Sequence, residues 1–385
     1  CRGDAVEHVV HLATQQVEVA TRTSLIAATA SAYYALAADS ENLGLGEATR
    51  EAQQRTLEGL AKEDARYALS LATTVQLGLT ANARTLESIL ARCRAHALQE
   101  VRELAEGLSA AVAGLAPSLV KYEQPSAYRR EAWPRLRAEA AALAAAGSPE
   151  AGGEAGATTP EDAEVRLVST TPDPDGTLAA VLLFAAGRGS MAECRHLAGG
   201  LDFAARRALL LSHCGPLGPH DPILREYEHV DAVFELVLSA SAFAQLKRHR
   251  MATITALPYD PALGVTVPPA LAEAGLEREF RSIMERSEEC ARRIAAAAPG
   301  ADPAGAPPPW AAYALTNAHR RRVLVKMNAR ELYHLSRLRE DAHAQWDIRR
   351  LAARMVALAR ARMPLTLALA AGKDRFAARR ESELS

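Results

Sequence analysis

Two periods alternate along this chain. Val323-Leu324-Val325 is a compact β-branched run, which predicts a buried strand. Asn328 follows at an N-cap position with Glu331 three residues on, and that spacing predicts a long helix starting there. Arg330, His334 and Arg337 or Leu338 fall at i, i+4 and i+7, which gives the helix a basic, polar edge. A helix start bearing Asn, Arg and His suits an anion, while the same spacing also fits a capped surface helix with solvated arginines. Val165–Thr170 predicts another strand, and Pro172-Asp173-Pro174-Asp175-Gly176 a turn after it. Helical stretches and short apolar strands alternate through the remainder, so the expected fold class is α+β.

The pattern repeats. Asn82-Ala83-Arg84 falls on Asn328-Ala329-Arg330, and Val75-Gln76-Leu77-Gly78-Leu79-Thr80-Ala81 falls on the predicted strand before it. Tyr67-Ala68-Leu69 matches Tyr313-Ala314-Leu315 at the same offset, and Glu7-His8-Val9 resembles Glu228-His229-Val230. Order and spacing predict two tandem copies of one domain. The expected division is a first, degenerate repeat at 1–130, a helical segment and flexible linker at 131–164, and a second repeat at 165–385. Ala146–Pro160 is the linker, rich in Gly, Ala, Pro and Ser, and Ala297–Pro309 reads as a surface excursion of similar composition. The first copy has no opening strand, which predicts a truncated or eroded start. The first residue, Cys1 rather than methionine, carries the same expectation.

Composition narrows the function classes. A chain of 385 residues can bury a large core, and 49% hydrophobic with 24% charged residues suits a soluble protein. A net charge of −1 supplies no global attraction to nucleic acid or membrane, so any anion site is local. Five scattered cysteines without a CxxC pair argue for a reducing, cytoplasmic setting and against a zinc site or disulfide frame. No apolar run approaches the roughly 20 residues a membrane helix needs.

The run from Asn328-Ala329-Arg330 to His343-Ala344-Gln345-Trp346-Asp347-Ile348-Arg349 resembles the C-terminal signature of the flavin-dependent thymidylate synthase family. Arg248-His249-Arg250 resembles the triplet that opens that family's signature motif, and Glu63-Asp64-Ala65-Arg66-Tyr67 a nucleotide-holding motif. The resemblance implies helices packed on a mostly antiparallel sheet, here in two tandem copies. It also implies FAD as cofactor, with NADPH and 5,10-methylenetetrahydrofolate as co-substrates in the reductive methylation of dUMP. His249, Arg250, Asn328, Arg330, His334, His343 and His229 would contact the flavin. Gln245, Arg248 and Arg66 would hold the nucleotide, and Arg339 would bind and polarise its uracil ring. Arginine suits these tasks because its planar fork clamps phosphate and enolate oxygens. The family builds sites at subunit interfaces of a homotetramer, so a homodimer of tandem chains would supply the same four domains.

Departures cut against a simple transfer. In the loop Met251–Pro261, Thr253 stands for a serine, Ala256 replaces a glutamate, Pro258 a serine and Asp260 the phosphate-holding arginine. An aspartate would repel a nucleotide phosphate. Ala312 stands where the second copy should repeat Arg66, and the first copy lacks the Arg-His-Arg triplet. Pooling of Arg66 with Arg248, His249, Arg250 and Arg339 in one composite site, or decay of both copies, explains this complementary loss. Three readings compete: a synthase, a flavin-binding homologue without synthase activity, and a non-catalytic scaffold or nucleic-acid module. Near-neutral charge and 5% aromatic content weigh against the last, and no nucleic-acid partner is expected.

Overall fold

The computed structural model describes residues 59–115, 117–146, 164–297 and 308–385, which divide into two compact units. Of those residues, 70–146 and 286–315 belong to the first unit; 59–69, 164–285 and 316–385 belong to the second. The Glu7 region lies outside the described residues, as do nearly all of the predicted linker and of the 297–309 excursion.

The first unit contains α1 (Ala83–Arg94), α2 (Gln99–Val112) and α3 (Ala127–Ala146). Asn82 caps α1 by accepting the Thr85 N–H at 2.9 Å. Arg94 at its end ion-pairs with Glu106 and Glu123 at 2.8 and 3.1 Å, which ties α1 to α2 and the segment beyond it. The strand expected at 75–81 does not form: the run is irregular and pairs with no strand among the described residues. Val75 and Leu77 are left 81% and 85% exposed. Alternation alone does not make a strand without a ladder to join.

The chain continues through β1 (Val165–Thr170), α4 (Pro174–Ala185), α5 (Met191–Gly199), α6 (Phe203–Leu211), β2 (Asp231–Ser239) and α7 (Ala240–Leu246). Then come β3 (Thr253–Tyr259), α8 (Pro269–Glu273), α9 (Glu277–Ala297), β4 (Arg320–Asn328), α10 (Ala329–Arg339), α11 (Trp346–Arg362) and α12 (Lys373–Leu384). The second unit is α+β: its four-stranded sheet has order β1-β2-β4-β3, and every pairing is antiparallel. Ala232, Phe234, Leu236 and Leu238 of β2 and Val323, Val325 and Met327 of β4 point inward at period two. Leu332 and Leu335 of α10 and Ile348, Leu351, Met355 and Ala359 of α11 meet them at helical spacing in one core. The strand at 323–325 is therefore buried on one face only; Leu324 is 46% exposed.

The outer face carries cross-strand charge instead. Arg166 of β1 and Arg322 of β4 both donate to the Glu235 carboxylate of β2, and Lys326 reaches Asp231 at 2.8 Å. The Arg166 and Arg322 guanidiniums hold the Glu235 carboxyl below the usual carboxylate range. Stability from a depressed carboxyl is complete above its unfolded-state value and is lost as pH falls through the folded one. Glu235→Gln is thus expected to cost about 0.5–1 kcal/mol at neutral pH, the gap to the parent closing in strong acid, as urea unfolding at both conditions will read.

Two expected loops are resolved differently. Pro172–Gly176 is a helix entry: Asp173, at φ 38°, caps α4 by accepting the Gly176 N–H. A Cβ on Gly176 would lie 2.0 Å from an Asp173 carboxylate oxygen, so a larger residue there would displace the capping side chain. Met251–Pro261 is mostly the edge strand β3, with Thr253↔Lys326 and Ile254↔Val325 in register. The ladder shifts between Ala256 and Tyr259, and Pro258 sits in that irregularity, where a missing N–H is tolerated. Asp260 accepts the Ala262 N–H at 2.9 Å, so its carboxylate starts the next turn.

Candidate functional site

The end of α10 meets the turn after α7. His249 is 3% exposed, and its Nδ1 lies 2.8 Å from a Glu331 carboxylate oxygen. On the other side of the ring, Arg339 Nε donates to His249 Nε2 at 3.3 Å, and Arg339 Nη2 donates to the Gln245 carbonyl at 3.4 Å. Arg339 has no acceptor atom, so Nε2 presents its lone pair and Nδ1 carries the proton toward Glu331. The ring of His334 packs edge-on to His249 with centroids 5.6 Å apart. Partial burial lowers His334 from the ordinary histidine value, with the Glu331 carboxylate opposing. Burial, with Arg248 adding like charge, lowers the Arg339 guanidinium from its ordinary value.

In front of Arg339 lies a cleft of about 300 Å³, lined by Glu63, Gln245, Arg339, Asp341, Gln345 and Lys373 among others. Glu63 brings the Glu-Asp-Ala-Arg-Tyr motif to the same place as the Asn-Ala-Arg helix. Tyr67 is fully buried, stacked on Trp346 at 5.4 Å, and its hydroxyl donates to Asp347 at 3.0 Å while accepting from the Gln345 amide at 2.7 Å. Ser239 Oγ donates to the same Asp347 oxygen at 2.7 Å, and the Trp346 indole donates to Asp64 at 2.9 Å. Burial raises the Asp347 carboxyl, and it raises the Tyr67 hydroxyl as well. Backbone bonds from Ala318 to the Tyr67 carbonyl and from Asn317 to the Leu69 carbonyl, both 2.9 Å, complete the clamp. The Asn317 side chain also donates to the Arg66 carbonyl, while the Arg66 side chain is exposed and makes no hydrogen bond among the described residues.

The other expected site residues separate into free and engaged groups. Arg248, Arg250 and His229 are exposed, with no side-chain hydrogen bond among the described residues. Arg330 is engaged: Nε donates to the Ile223 carbonyl at 3.0 Å, and Nη1 to Glu228 at 2.8 Å. Asn328 caps α10, accepting the Glu331 N–H at 2.8 Å. His343 is at the surface with Nδ1 2.9 Å from Asp341. Arg337, expected on a solvated basic edge, is buried over the Phe376 ring and donates to the Asp221 carbonyl. Glu331, spaced three residues after the Asn328 cap, turns its side chain inward to His249 and not back to the helix start. The Tyr67–Asp347 link joins two motifs that the sequence shows only separately.

The family profile described as "Thymidylate synthase complementing protein" matches residues 7–118 and 166–365. "UPF0159 protein Ta1429" of Thermoplasma acidophilum is 33% identical over 133 residues, 34% of this chain and 25% of that protein. "Flavin-dependent thymidylate synthase" of Geobacter sulfurreducens is 29% identical over 209 residues, 52% of this chain and 84% of that protein. "UPF0159 protein" of Chlamydia muridarum is 26% identical over 297 residues, 74% of this chain and 52% of that protein. The chain thus spans a quarter of the Thermoplasma relative and about half of the Chlamydia one. With the two profile segments covering most of its length, the chain belongs to the thymidylate synthase complementing protein family.

Proposed function

We propose that the chain is a flavin-dependent thymidylate synthase-like enzyme that methylates dUMP or a related pyrimidine nucleotide, using FAD, NADPH and methylenetetrahydrofolate. The carrying observation is Arg339: its guanidinium is fixed from behind by His249 and the Gln245 carbonyl at the edge of a cleft that the Glu63 motif also lines. Of its five N–H donors, those not so used can meet a pyrimidine carbonyl and stabilise charge as it develops there. The activity carried in the Geobacter relative's name supports the same class.

The residues fit a flavin in part. Arg250, His229 and His334 have polar atoms without a hydrogen-bond partner among the described residues, and Arg248 adds a free guanidinium for the nucleotide. Arg330 would exchange Glu228 for the flavin, while Asn328 and His249 act from within the scaffold and His343 from its surface turn. When bound, FAD supplies the redox and one-carbon chemistry, and the protein binds, orients and polarises.

Tandem organisation is part of the proposal. Asn82 and Asn328 stand at corresponding places in the two Asn-Ala-Arg runs, and each caps its helix by accepting the N–H three residues on. The Glu-Asp-Ala-Arg-Tyr motif of the first repeat packs on Gln345–Asp347 of the second, which supports a composite site holding Arg66. Arg66→Ala is expected to weaken dUMP binding at least tenfold with flavin content unchanged; unchanged dUMP affinity would remove Arg66 from the site. Two such chains would form a homodimer with four domains, in the cytoplasm, with small-molecule nucleotide and folate partners and neither membrane nor nucleic acid; light scattering reads the dimer. Among the described residues no helix is long and apolar enough to cross a membrane.

One observation favours a second reading, a flavin-binding homologue without synthase activity. The segment matching the family's phosphate loop is spent on β3, and Asp260 on a turn. The visible absorption spectrum separates the two. Bound oxidised flavin whose bands shift on adding dUMP supports the synthase, and a turnover assay with NADPH and methylenetetrahydrofolate completes the test. Flavin without a dUMP response supports the second reading. Absence of flavin binding overturns both.

A further inference from the structure

We infer that Glu331 is a positioning residue that sets the tautomer of His249 and, through it, the aim of Arg339 into the cleft. Three buried or half-buried polar groups stand in line: the Glu331 carboxylate, the His249 imidazole and the Arg339 guanidinium, linked at 2.8 and 3.3 Å. The Glu331 and His249 side chains are only 7% and 1% exposed, so water does not compete for either bond. A carboxylate accepts and does not donate, whereas a guanidinium donates and does not accept. Between them only one neutral arrangement satisfies both neighbours, with the proton on Nδ1 and the lone pair on Nε2. A proton on Nε2 would face an Arg339 N–H donor to donor and push the guanidinium away from its seat.

Glu331 sits where a capping glutamate belongs, three residues after Asn328. Its carboxylate is turned inward to a histidine 82 positions earlier in the chain. Asn328 still caps the helix through the Glu331 N–H, so the helix start does not depend on the carboxylate. This division of labour separates the two roles: the main chain of residue 331 serves the fold, and its side chain serves Arg339.

The link from Glu331 to Arg339 stands on geometry alone; the ligand that Arg339 meets rests on the function proposed above. The test uses the full chain labelled with ¹⁵N-histidine, with His249 assigned by its loss in His249→Asn. Nitrogen shifts are expected to show Nδ1 protonated and Nε2 unprotonated in the parent at neutral pH. In Glu331→Gln the carboxamide offers a donor as well as an acceptor, so a second population protonated at Nε2 is expected. Glu331→Asp is expected to restore the parent pattern at least partly. A parent protonated at Nε2, or a Glu331→Gln pattern identical to the parent, overturns the proposal. If Glu331→Gln fails to fold, Glu331→Met, which removes the acceptor facing Nδ1, takes its place, and a pattern identical to the parent overturns the proposal. Titration with dUMP is read separately: affinity about tenfold lower in Glu331→Gln is expected, and equal affinity in a variant with altered tautomer overturns the coupling to Arg339. A parent that binds no dUMP overturns the nucleotide assignment while the nitrogen pattern still decides the tautomer.

Discussion

Replacing Asp347 with alanine is expected to destabilise the second unit by about 3–5 kcal/mol, the scale for removing one member of a buried charged network. Asp347 is 1% exposed, and one of its oxygens accepts from both Tyr67 and Ser239 while the other lies 3.4 Å from Arg350. Alanine leaves two buried hydroxyls facing a void, and each orphaned donor costs about 1–3 kcal/mol. Tyr67→Phe removes one hydroxyl and keeps the ring stacked on Trp346, so about 1 kcal/mol is expected there. The two losses will not add, because the Tyr67 hydroxyl is already without its acceptor in the alanine variant. Urea unfolding of both single variants and the double variant checks this, with unchanged slopes confirming that the midpoints report stability. Additive losses would mean that the two groups do not act as one network.

Replacing Arg339 with alanine is expected to lower kcat about 10²–10³-fold, the usual cost of losing one donor aimed at developing charge. Flavin content should be retained, since no flavin contact is proposed for Arg339. Lysine is expected to rescue little. A single ammonium cannot donate backward to His249 and the Gln245 carbonyl and forward into the cleft with a planar fork's geometry. Turnover of dUMP by the parent, Arg339→Ala and Arg339→Lys checks both expectations. Full activity in the alanine variant would remove Arg339 from the chemistry.

What could be read in the sequence was local. The β4 strand and the Asn328 cap were legible because a β-branched run and a capping residue act within one turn of the chain. β3 was legible too, since Thr253-Ile254-Thr255-Ala256 alternates at period two, but resemblance to a loop hid it. The run at 75–81 shows the converse, a strand-like pattern with nothing to pair with among the described residues. Arg330 shows another limit: its ion pair with Glu228, 102 positions earlier, has no local signal in the sequence. Tyr67 and Asp347 are 280 positions apart, and no periodicity reports which hydroxyl meets which carboxylate across that distance.

The clamp around Tyr67 also governs how the cleft answers to dilution. When motifs that line a cleft reside on separate subunits, the cleft empties of one partner as the concentration falls below the dissociation constant. Here the Glu63–Tyr67 segment and Gln345–Asp347 are on one polypeptide, so their meeting is governed by tether length and not by protein concentration. This half of the cleft therefore stays assembled at any dilution. Expressing 164–385 alone would turn the same contact into a bimolecular one that must be restored by adding residues 59–69 in trans.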